Sequence, residues 1–252
     1  MDQTLLLSGS VVALVLGAMV GSFLNVVVLR TAAHRSFVAG RSRCSHCGRT
    51  LSWYELIPVG SFILLGGKCR TCKKTLSVQY LLVEVITATA FALVWMRFGW
   101  SLMTVAAWLV TSILIIIAVY DARWSLIPDS FTMALAVAAI SVLVLGSIDI
   151  PSTILGIAVG AGLFTLQYAL SRGAWVGSGD ILLGGVLGLL LGWRLMLGAL
   201  GVSYILGALT TIPIFLRGGG KQMIAFGPFL ALGSWVVWLW GAELWQWYLL
   251  HL

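Results

Sequence analysis

The chain has 252 residues, of which 60% are hydrophobic and only 9% are charged, and its mean hydropathy is +1.05. Soluble domains carry about 25% charged residues, so this composition excludes a soluble protein and predicts an integral membrane protein. Long apolar runs without alternation exclude a β-barrel, so the predicted fold class is an all-α polytopic membrane protein. No nucleic-acid partner is expected, because membrane topology accounts for most of the formal net charge of +7.

About eight apolar runs are predicted to cross the bilayer, since a membrane-spanning helix needs about 20 residues. The first run is long enough to span and is followed by no clear small-residue cleavage site, so we expect a transmembrane helix rather than a signal peptide. The sixth run is the shortest. The predicted spans cover residues 5–29, 80–96, 100–120, 131–145, 154–170, 181–193, 195–216 and 226–250.

The only long polar segment lies between the first two predicted spans, at residues 30–79. It contains nine of the 15 Lys and Arg residues, and positive charge marks the cytoplasmic side of a membrane protein. If this loop is cytoplasmic, alternation of the spans places Asp121, Asp180 and residues 217–221 at the same membrane face. Thirteen basic residues then lie inside, and only Arg97 and Arg194 lie outside.

Asp121, in YDARWSLIPD, ends one predicted span, and Asp180, in GSGD, begins another. A carboxylate beside hydrocarbon is costly, which makes it a candidate functional group. Two carboxylates held close together share a proton, so that one can act as a base on water while the other polarises a carbonyl group. Gly177 and Gly179 leave room for an extended peptide beside Asp180. The pattern predicts an intramembrane aspartic peptidase with Asp121 and Asp180 as its catalytic pair.

A structural explanation of the aspartates is also open. Asp180 begins a helix and could be its N-cap, as Asp129 could be for the span that starts near residue 131. We interpret Asp129, which follows Pro128, mainly as a cap and turn residue. Asp121 is harder to explain in this way, because the negative end of the helix dipole disfavours an anion there.

The polar loop contains all the cysteines of the chain, in two CxxC pairs separated by 21 residues: Cys44, Cys47, Cys69 and Cys72. This spacing is typical of a zinc site with four thiolate ligands. The alternatives are disulfides, which rarely persist in the cytosol, and redox-active thiols. Four protein ligands leave no open coordination position, so the predicted zinc is structural and His46 is not needed as a ligand.

Several motifs, in order along the chain, resemble those of the bacterial prepilin peptidases, or type IV leader peptidases, a family of GxGD-type intramembrane aspartic proteases. They are GSFLNVVVLR at 21–30, the cysteine loop at 43–84, YDARWSLIPD, GSGD, and FGPFLALG at 226–233. The resemblance implies that Asp121 and Asp180 are the catalytic pair, and that the active site faces the cytoplasm at the bacterial inner membrane. The implied partners are membrane lipids, type IV prepilins and pilin-like precursors, whose leader peptide is cut after a glycine.

Many members of the family also methylate the new N-terminal residue with S-adenosylmethionine, and the cysteine loop resembles that of these bifunctional members. The resemblance therefore implies this methyl donor as a cofactor, at binding residues that the sequence does not identify. Asn25 and Arg30 could belong to the methyl-transfer part. Alternatively, Asn25 could form a hydrogen bond between two helices, and Arg30 could be one of the basic residues that mark the cytoplasmic side. Glu84 could face the active-site cavity or extend to the membrane interface.

The chain departs from the family pattern at two positions. The family commonly has a lysine two residues after the GxGD aspartate, where this chain has Leu182, and a proline inside the first CxxC pair, where it has Ser45. A nearby ammonium group would stabilise the ionised carboxylate. Absence of the lysine therefore bears on the expected pH optimum and catalytic efficiency of the enzyme more than on the type of reaction that it catalyses.

The expected organisation is a first transmembrane helix (1–30), a cytoplasmic four-cysteine loop (31–79) and a transmembrane peptidase domain (80–252). The loop and the first helix are expected to form the methyltransferase part. Two other functions are open. One is a peptidase without methyltransferase activity, whose loop is a scaffold or a substrate dock, and the other is a non-enzymatic membrane assembly factor or transporter that retains the fold.

Overall fold

The computed structural model describes residues 3–146, 149–216 and 225–250, and within these ranges the chain is helical, without any strand. One 3₁₀ turn, Trp53–Leu56, lies in the polar loop. The α-helices are α1 (Gln3–Ala32), α2 (Gly60–Leu64), α3 (Val78–Phe98), α4 (Leu102–Trp124), α5 (Asp129–Leu145), α6 (Ile150–Ser171), α7 (Ser178–Leu216) and α8 (Gly227–Leu250).

The predicted all-α membrane fold is confirmed, and each predicted span coincides with a helix or with part of one. Among the described residues, five helices are long and apolar enough to cross a membrane, namely α1, α3, α4, α6 and α7. Helix α5 is apolar but shorter. The basic residues Arg217 and Lys221, which were used to predict the orientation, lie outside the described residues.

The sixth and seventh predicted spans form the single helix α7, which is interrupted at Gly192. Gly192 has φ +69° and ψ 172°, a conformation that is open to glycine and strained for residues with a Cβ. A straight helix of 39 residues would extend about 58 Å, nearly twice the hydrocarbon thickness of about 30 Å. The predicted break near residue 194 is therefore a kink that divides one helix into two apolar segments.

Packing divides the chain into two compact units, Met1–Thr104 and Val105–Leu252. In the first unit α1 and α3 lie in close contact because glycines of α1 face α3. A Cβ on Gly17 would lie 2.7 Å from the Cα of Ala88, and one on Gly21 would lie 2.8 Å from the Cα of Glu84. Helix α3 therefore packs with the segment before it. The expected boundary between the cysteine loop (31–79) and the peptidase domain (80–252) stays a prediction.

The second unit centres on α7, which contacts α5, α6 and α8. Helices α6 and α7 cross at a set of glycines that we call the glycine crossing (Gly156, Gly160, Gly184 and Gly188). A Cβ on Gly188 would lie only 2.0 Å from the carbonyl oxygen of Gly156, so the two backbones are in direct contact. Small residues of this kind are typical of closely packed membrane helices. The crossing fixes the position of α7, whose first turn carries Asp180.

Candidate active site and metal centre

Asp121 lies in the last turn of α4, and its side chain is buried with 5% exposure. The Oδ2 atom accepts a hydrogen bond from the backbone N–H of Gly227, at a distance of 2.8 Å. Gly227 is the first residue of α8, so the carboxylate lies at the positive end of that helix. This placement offsets the unfavourable position of an anion at the end of α4, and no local pattern in the sequence predicts the contact.

Glycine is the residue that fits at position 227. A Cβ there would lie 2.6 Å from Oδ2 and 3.0 Å from Cγ of Asp121, which is closer than packed atoms approach each other. Any larger residue must displace either the carboxylate or the start of α8. The FGPFLALG motif therefore contacts the first aspartate motif directly, through Gly227.

Asp180 is the third residue of α7 and is half-buried. Its Oδ2 atom accepts a hydrogen bond from the backbone N–H of Gly177, at 2.9 Å. Asp180 is therefore not the N-cap residue itself. Its side chain reaches back from the first turn and satisfies one of the backbone donors that a helix start leaves without an intrahelical partner.

The two aspartate motifs lie next to each other in the second unit. The carboxylates of Asp121 and Asp180 are close enough to repel each other electrostatically. Gly179 contacts the turn that follows α4, since a Cβ on Gly179 would lie 3.2 Å from the Cβ of Ile127 and 3.3 Å from its carbonyl oxygen. The structure thus brings together two carboxylates that are 59 positions apart in the sequence.

Asp129 lies at the far end of the turn that follows Asp121, as the first residue of α5. Pro128 occupies the N-cap position, so the prediction that Asp129 caps this helix is wrong. Its exposed carboxylate lies in the first turn instead, where the positive end of the helix dipole favours an anion. Because it is exposed and belongs to the same motif, Asp129 is a suitable control for the two other aspartates.

The four cysteines of the polar loop lie together. Their Sγ atoms are all within 4.8 Å of one another, and each cysteine is free of disulfide bonding. Four sulfur ligands at 2.3 Å around a tetrahedral zinc ion would be about 3.8 Å apart. The Sγ atoms of Cys44 and Cys72 are 3.9 Å apart, so the cluster has the dimensions of a metal site with four thiolates.

The two CxxC pairs belong to an internal repeat that extends beyond the cysteine spacing. RCSHCGRTLS at 43–52 and KCRTCKKTLS at 68–77 follow the same pattern. In both copies the N–H of the first cysteine donates to the carbonyl oxygen of the residue five positions later, at 2.9 Å. Both copies also end in a serine that precedes a helical segment, the 3₁₀ turn in one case and α3 in the other. Aligning the two stretches would have revealed the repeat.

Backbone donors and one guanidinium group favour the thiolate form of Cys69 in the cluster, whereas burial and the neighbouring thiols raise the pKa of Cys72 to about 11. The N–H groups of Cys72 and Thr71 lower the pKa of Cys69 to about 6. Arg49 hydrogen-bonds to Cys69 and forms a salt bridge of 2.5 Å with the buried Glu55. The hydrogen bond from Arg49 also holds the pKa of Glu55 below its usual range. Arg49 therefore connects the cysteine cluster to the 3₁₀ turn and offsets part of the negative charge of the thiolates.

A cavity of about 390 Å³ lies within the first unit, between the end of α1, the polar loop and the start of α3. Tyr80 and Glu84 contribute to its wall from α3. Basic residues of the two cysteine repeats also line it, among them Arg43, Lys68 and Arg70. The cavity therefore combines positive charge, a carboxylate and an aromatic ring beside the cysteine cluster.

Asn25 and Arg30 make contacts that hold the walls of this cavity. The amide nitrogen of Asn25 donates to the carbonyl oxygens of Gly21 and Tyr80, both at 3.3 Å, and so joins α1 to the start of α3. The guanidinium of Arg30 donates to four carbonyl oxygens of the loop that follows α1, at distances of 2.5 to 3.2 Å. Arg30 therefore fixes the path of the chain as it leaves the first helix.

Glu84 is buried, with 7% exposure, and lines the same cavity. Its Oε2 atom accepts a hydrogen bond of 2.7 Å from the backbone N–H of Val59, which precedes α2. A carboxylate that extends to the membrane interface would be exposed, so this alternative does not describe Glu84. The residue belongs to the first unit, with the cysteine cluster.

Comparisons with known proteins place both units of the chain in one family. Residues 15–98 match the bacterial peptidase A24 N-terminal domain, and residues 108–212 match the type IV leader peptidase family. Proteins named prepilin leader peptidase/N-methyltransferase are similar over most of the chain. The protein from Bacillus subtilis is 34% identical over 93% of this chain and 96% of its own length, and that from Neisseria gonorrhoeae is 31% identical over 95% and 94%.

A relative of the same name from Myxococcus xanthus is 37% identical over 81% of this chain. The match covers 63% of that relative, which is therefore the longer protein. No solved structure has significant similarity to the chain.

The variant Lys73→Gly is expected to stabilise the cysteine cluster. Lys73 follows the second cysteine of its repeat with φ +56°, and the equivalent residue of the first repeat is Gly48, with φ +70°. A left-handed conformation costs a non-glycine residue about 1–2 kcal/mol, so glycine should slow metal loss by at least about fivefold. Release of the bound metal to a colorimetric chelator measures this effect.

Lys74→Gly is the matched control, because it removes the same charge from a neighbouring residue whose φ is not positive. If both variants slow metal release equally, the effect comes from charge and the backbone explanation fails.

Proposed function

Because the chain belongs to the type IV leader peptidase family, we propose that it is a membrane aspartic endopeptidase that removes the leader peptide of type IV prepilins and pilin-like secretion proteins. The cut follows a glycine at the cytoplasmic face of the bacterial inner membrane. The new N-terminal residue is then methylated with S-adenosylmethionine. The observation that carries the peptidase proposal is the contact between the two aspartate motifs, in which Gly179, next to Asp180, packs on Ile127 in the turn that follows Asp121 and α4.

The proposed cleavage uses one protonated and one ionised carboxyl group, because two adjacent negative charges repel each other. The ionised carboxylate takes a proton from water, whose oxygen adds to the carbonyl carbon of the glycine that ends the leader. The protonated carboxyl group donates to the carbonyl oxygen. The C–N bond then breaks as the leaving amine takes a proton, and no covalent bond forms between enzyme and substrate.

Two backbone donors support this assignment by holding the carboxylates in fixed orientations. Gly227 binds Oδ2 of Asp121, and Gly177 binds Oδ2 of Asp180. We therefore assign proton transfer to the other oxygen, Oδ1, of each residue. Neither donor is a side chain, so neither can change its protonation state during the reaction.

The charge distribution supports a cytoplasmic orientation of the active site. Nine of the 15 Lys and Arg residues lie in the segment at 30–79, and cytoplasmic segments are enriched in such residues. Near the membrane surface this basic segment would also contact anionic lipid headgroups. The membrane lipids and the precursor pilins are thus the proposed partners.

The cysteine cluster is proposed to hold one zinc ion through Cys44, Cys47, Cys69 and Cys72. The sulfur separations fit tetrahedral coordination, and the lowered pKa of Cys69 favours the thiolate that a metal ligand requires. Since all four ligands come from the protein, the ion would fasten the two repeats together without taking part in the reaction.

The cavity of the first unit is proposed as the site for the methyl donor. S-adenosylmethionine supplies a methyl group on a positively charged sulfur, and also carries a carboxylate and a planar adenine. Arg43 and Lys68 offer positive charge for a carboxylate, and Tyr80 offers an aromatic ring for adenine. The volume of about 390 Å³ lies within the range of small-molecule sites.

Removal of either candidate catalytic carboxylate is expected to stop cleavage. In Asp121→Asn or Asp180→Asn the pair can no longer supply both a base and an acid, so the rate should fall by about 100- to 10,000-fold. Mass spectrometry of a precursor pilin incubated with the purified protein measures the product. The control Asp129→Asn removes an exposed carboxylate of the same motif and should cleave normally. Cleavage that survives in both Asp121→Asn and Asp180→Asn would rule out the aspartyl mechanism.

Gly227→Ala is expected to reduce cleavage without removing any functional group. The new methyl group would lie 2.6 Å from Oδ2 of Asp121 and must displace it, and a displacement of about 1 Å can cost about 100-fold in rate. The matched control is Gly201→Ala, because a Cβ on Gly201 meets no atom within 4 Å. Normal cleavage by Gly227→Ala would show that the Gly227 contact does not position the carboxylate.

Filling the cavity of the first unit should separate the two activities. Ala33 lines the cavity, so Ala33→Trp is expected to block binding of S-adenosylmethionine and methylation while leaving leader cleavage intact. Isothermal titration with the methyl donor and mass spectrometry of the product test both effects. Ala32→Trp introduces the same side chain at a neighbouring residue outside the cavity wall. If wild-type protein cleaves but binds no methyl donor, the peptidase-only alternative is correct.

A further inference from the structure

Val59 has a backbone conformation that its side chain disfavours. Its φ is +61° and its ψ is −53°, and the N–H of Gly60 donates to the carbonyl oxygen of Pro58 at 2.5 Å. These values define a γ-turn of the rare, strained kind. A β-branched residue with positive φ is a steric outlier, so the turn needs support from the surrounding structure.

The support comes from Glu84, which lies 25 positions away on α3. Its Oε2 atom accepts the N–H of Val59 at 2.7 Å, and its side chain also hydrogen-bonds to Ser22 of α1. Gly21 allows α1 to pass close to the backbone of Glu84, which closes the site from that side. The carboxylate is therefore held between two membrane helices and has the strained turn as a specific partner.

The turn at Val59 leads directly into α2, and α2 forms part of the cavity wall. Ser61 and Phe62 of this helix line the cavity. The carbonyl oxygen of Phe62 accepts a hydrogen bond of 2.8 Å from the N–H of Gly67, which precedes the second cysteine repeat. Helix α2 is thus fixed at its far end by contact with the residue that leads into the repeat, and at its near end by Glu84.

We propose that Glu84 is a positioning residue for methyl transfer, which holds the Val59 turn and thereby sets the place of α2 in the wall of the cavity. This inference rests on the proposed methyltransferase function and assigns Glu84 no contact with the methyl donor. A buried carboxylate is costly beside apolar helices, and an apolar residue of similar size would suit the packing of α1 on α3 better. The carboxylate of Glu84 therefore has a specific role: its hydrogen bond holds the Val59 turn in a strained conformation that the backbone would otherwise leave.

The test uses two substitutions. One removes the carboxylate of Glu84 that supports the turn, and the other replaces Val59 with glycine, which needs no such support. Glu84→Leu keeps the side chain volume and loses the acceptor, so the KM for S-adenosylmethionine should rise by about tenfold while leader cleavage is unchanged. Glu84→Gln retains an acceptor and should give a smaller rise. Val59→Gly alone should behave like wild type, because glycine adopts positive φ without strain.

The double variant Val59→Gly/Glu84→Leu is expected to recover most of the lost affinity, since glycine keeps the turn without help. A residue that merely stabilises the α1–α3 contact would not be rescued by a change in the distant turn. Bound metal and thermal stability, measured for every variant, show whether the first unit is folded.

Three results would overturn the proposal in distinguishable ways. An unchanged KM in Glu84→Leu would show that the carboxylate does not position α2. A raised KM without any recovery in the double variant would assign Glu84 a direct contact with the methyl donor, or a role in folding if metal is also lost. A wild-type protein that cleaves the precursor but transfers no methyl group would instead refute the proposed methyl transfer itself.

Discussion

A buried carboxylate in a membrane protein needs a hydrogen-bond donor from the protein itself, because hydrocarbon offers none. Asp121 finds its donor in the backbone of Gly227, and this contact connects the end of α4 to the start of α8. Gly179 then brings the start of α7 against the turn that follows α4. Three helices that are distant in the sequence therefore converge near the two aspartate motifs.

The same solution recurs at the other two candidate carboxylates. Asp180 accepts the N–H of Gly177 just before α7, and Glu84 accepts the N–H of Val59 just before α2. In all three cases the donor is a backbone group where a helix begins, which has no intrahelical acceptor. The N–H groups at helix starts thus satisfy the hydrogen-bonding needs of the carboxylates, and the carboxylates in turn hold the helix starts in place.

The helices, the aspartates and the cysteine cluster were predictable because each stands out locally in the sequence. Apolar runs mark membrane spans, and charged residues among them are rare. The Asp121–Gly227 contact was not predictable, since it joins residues 106 positions apart through a backbone atom. The position of Asp129 was misjudged because the preceding proline itself took the N-cap position. The interruption between the sixth and seventh spans was predictable, but its form as a kink at Gly192 was not, because the chain has 29 glycines and nothing local distinguishes this one.

The glycine crossing between α6 and α7 restricts the path by which a membrane-embedded substrate can reach the aspartates. Packed helices are usually separated by 8–10 Å between their axes, with side chains filling the space. At Gly156 and Gly188 the backbones themselves touch, so there is no side chain whose rotation could open a gap. A membrane-embedded substrate therefore has no path between α6 and α7 at this crossing, and the two helices form a rigid wall on that side of the second unit.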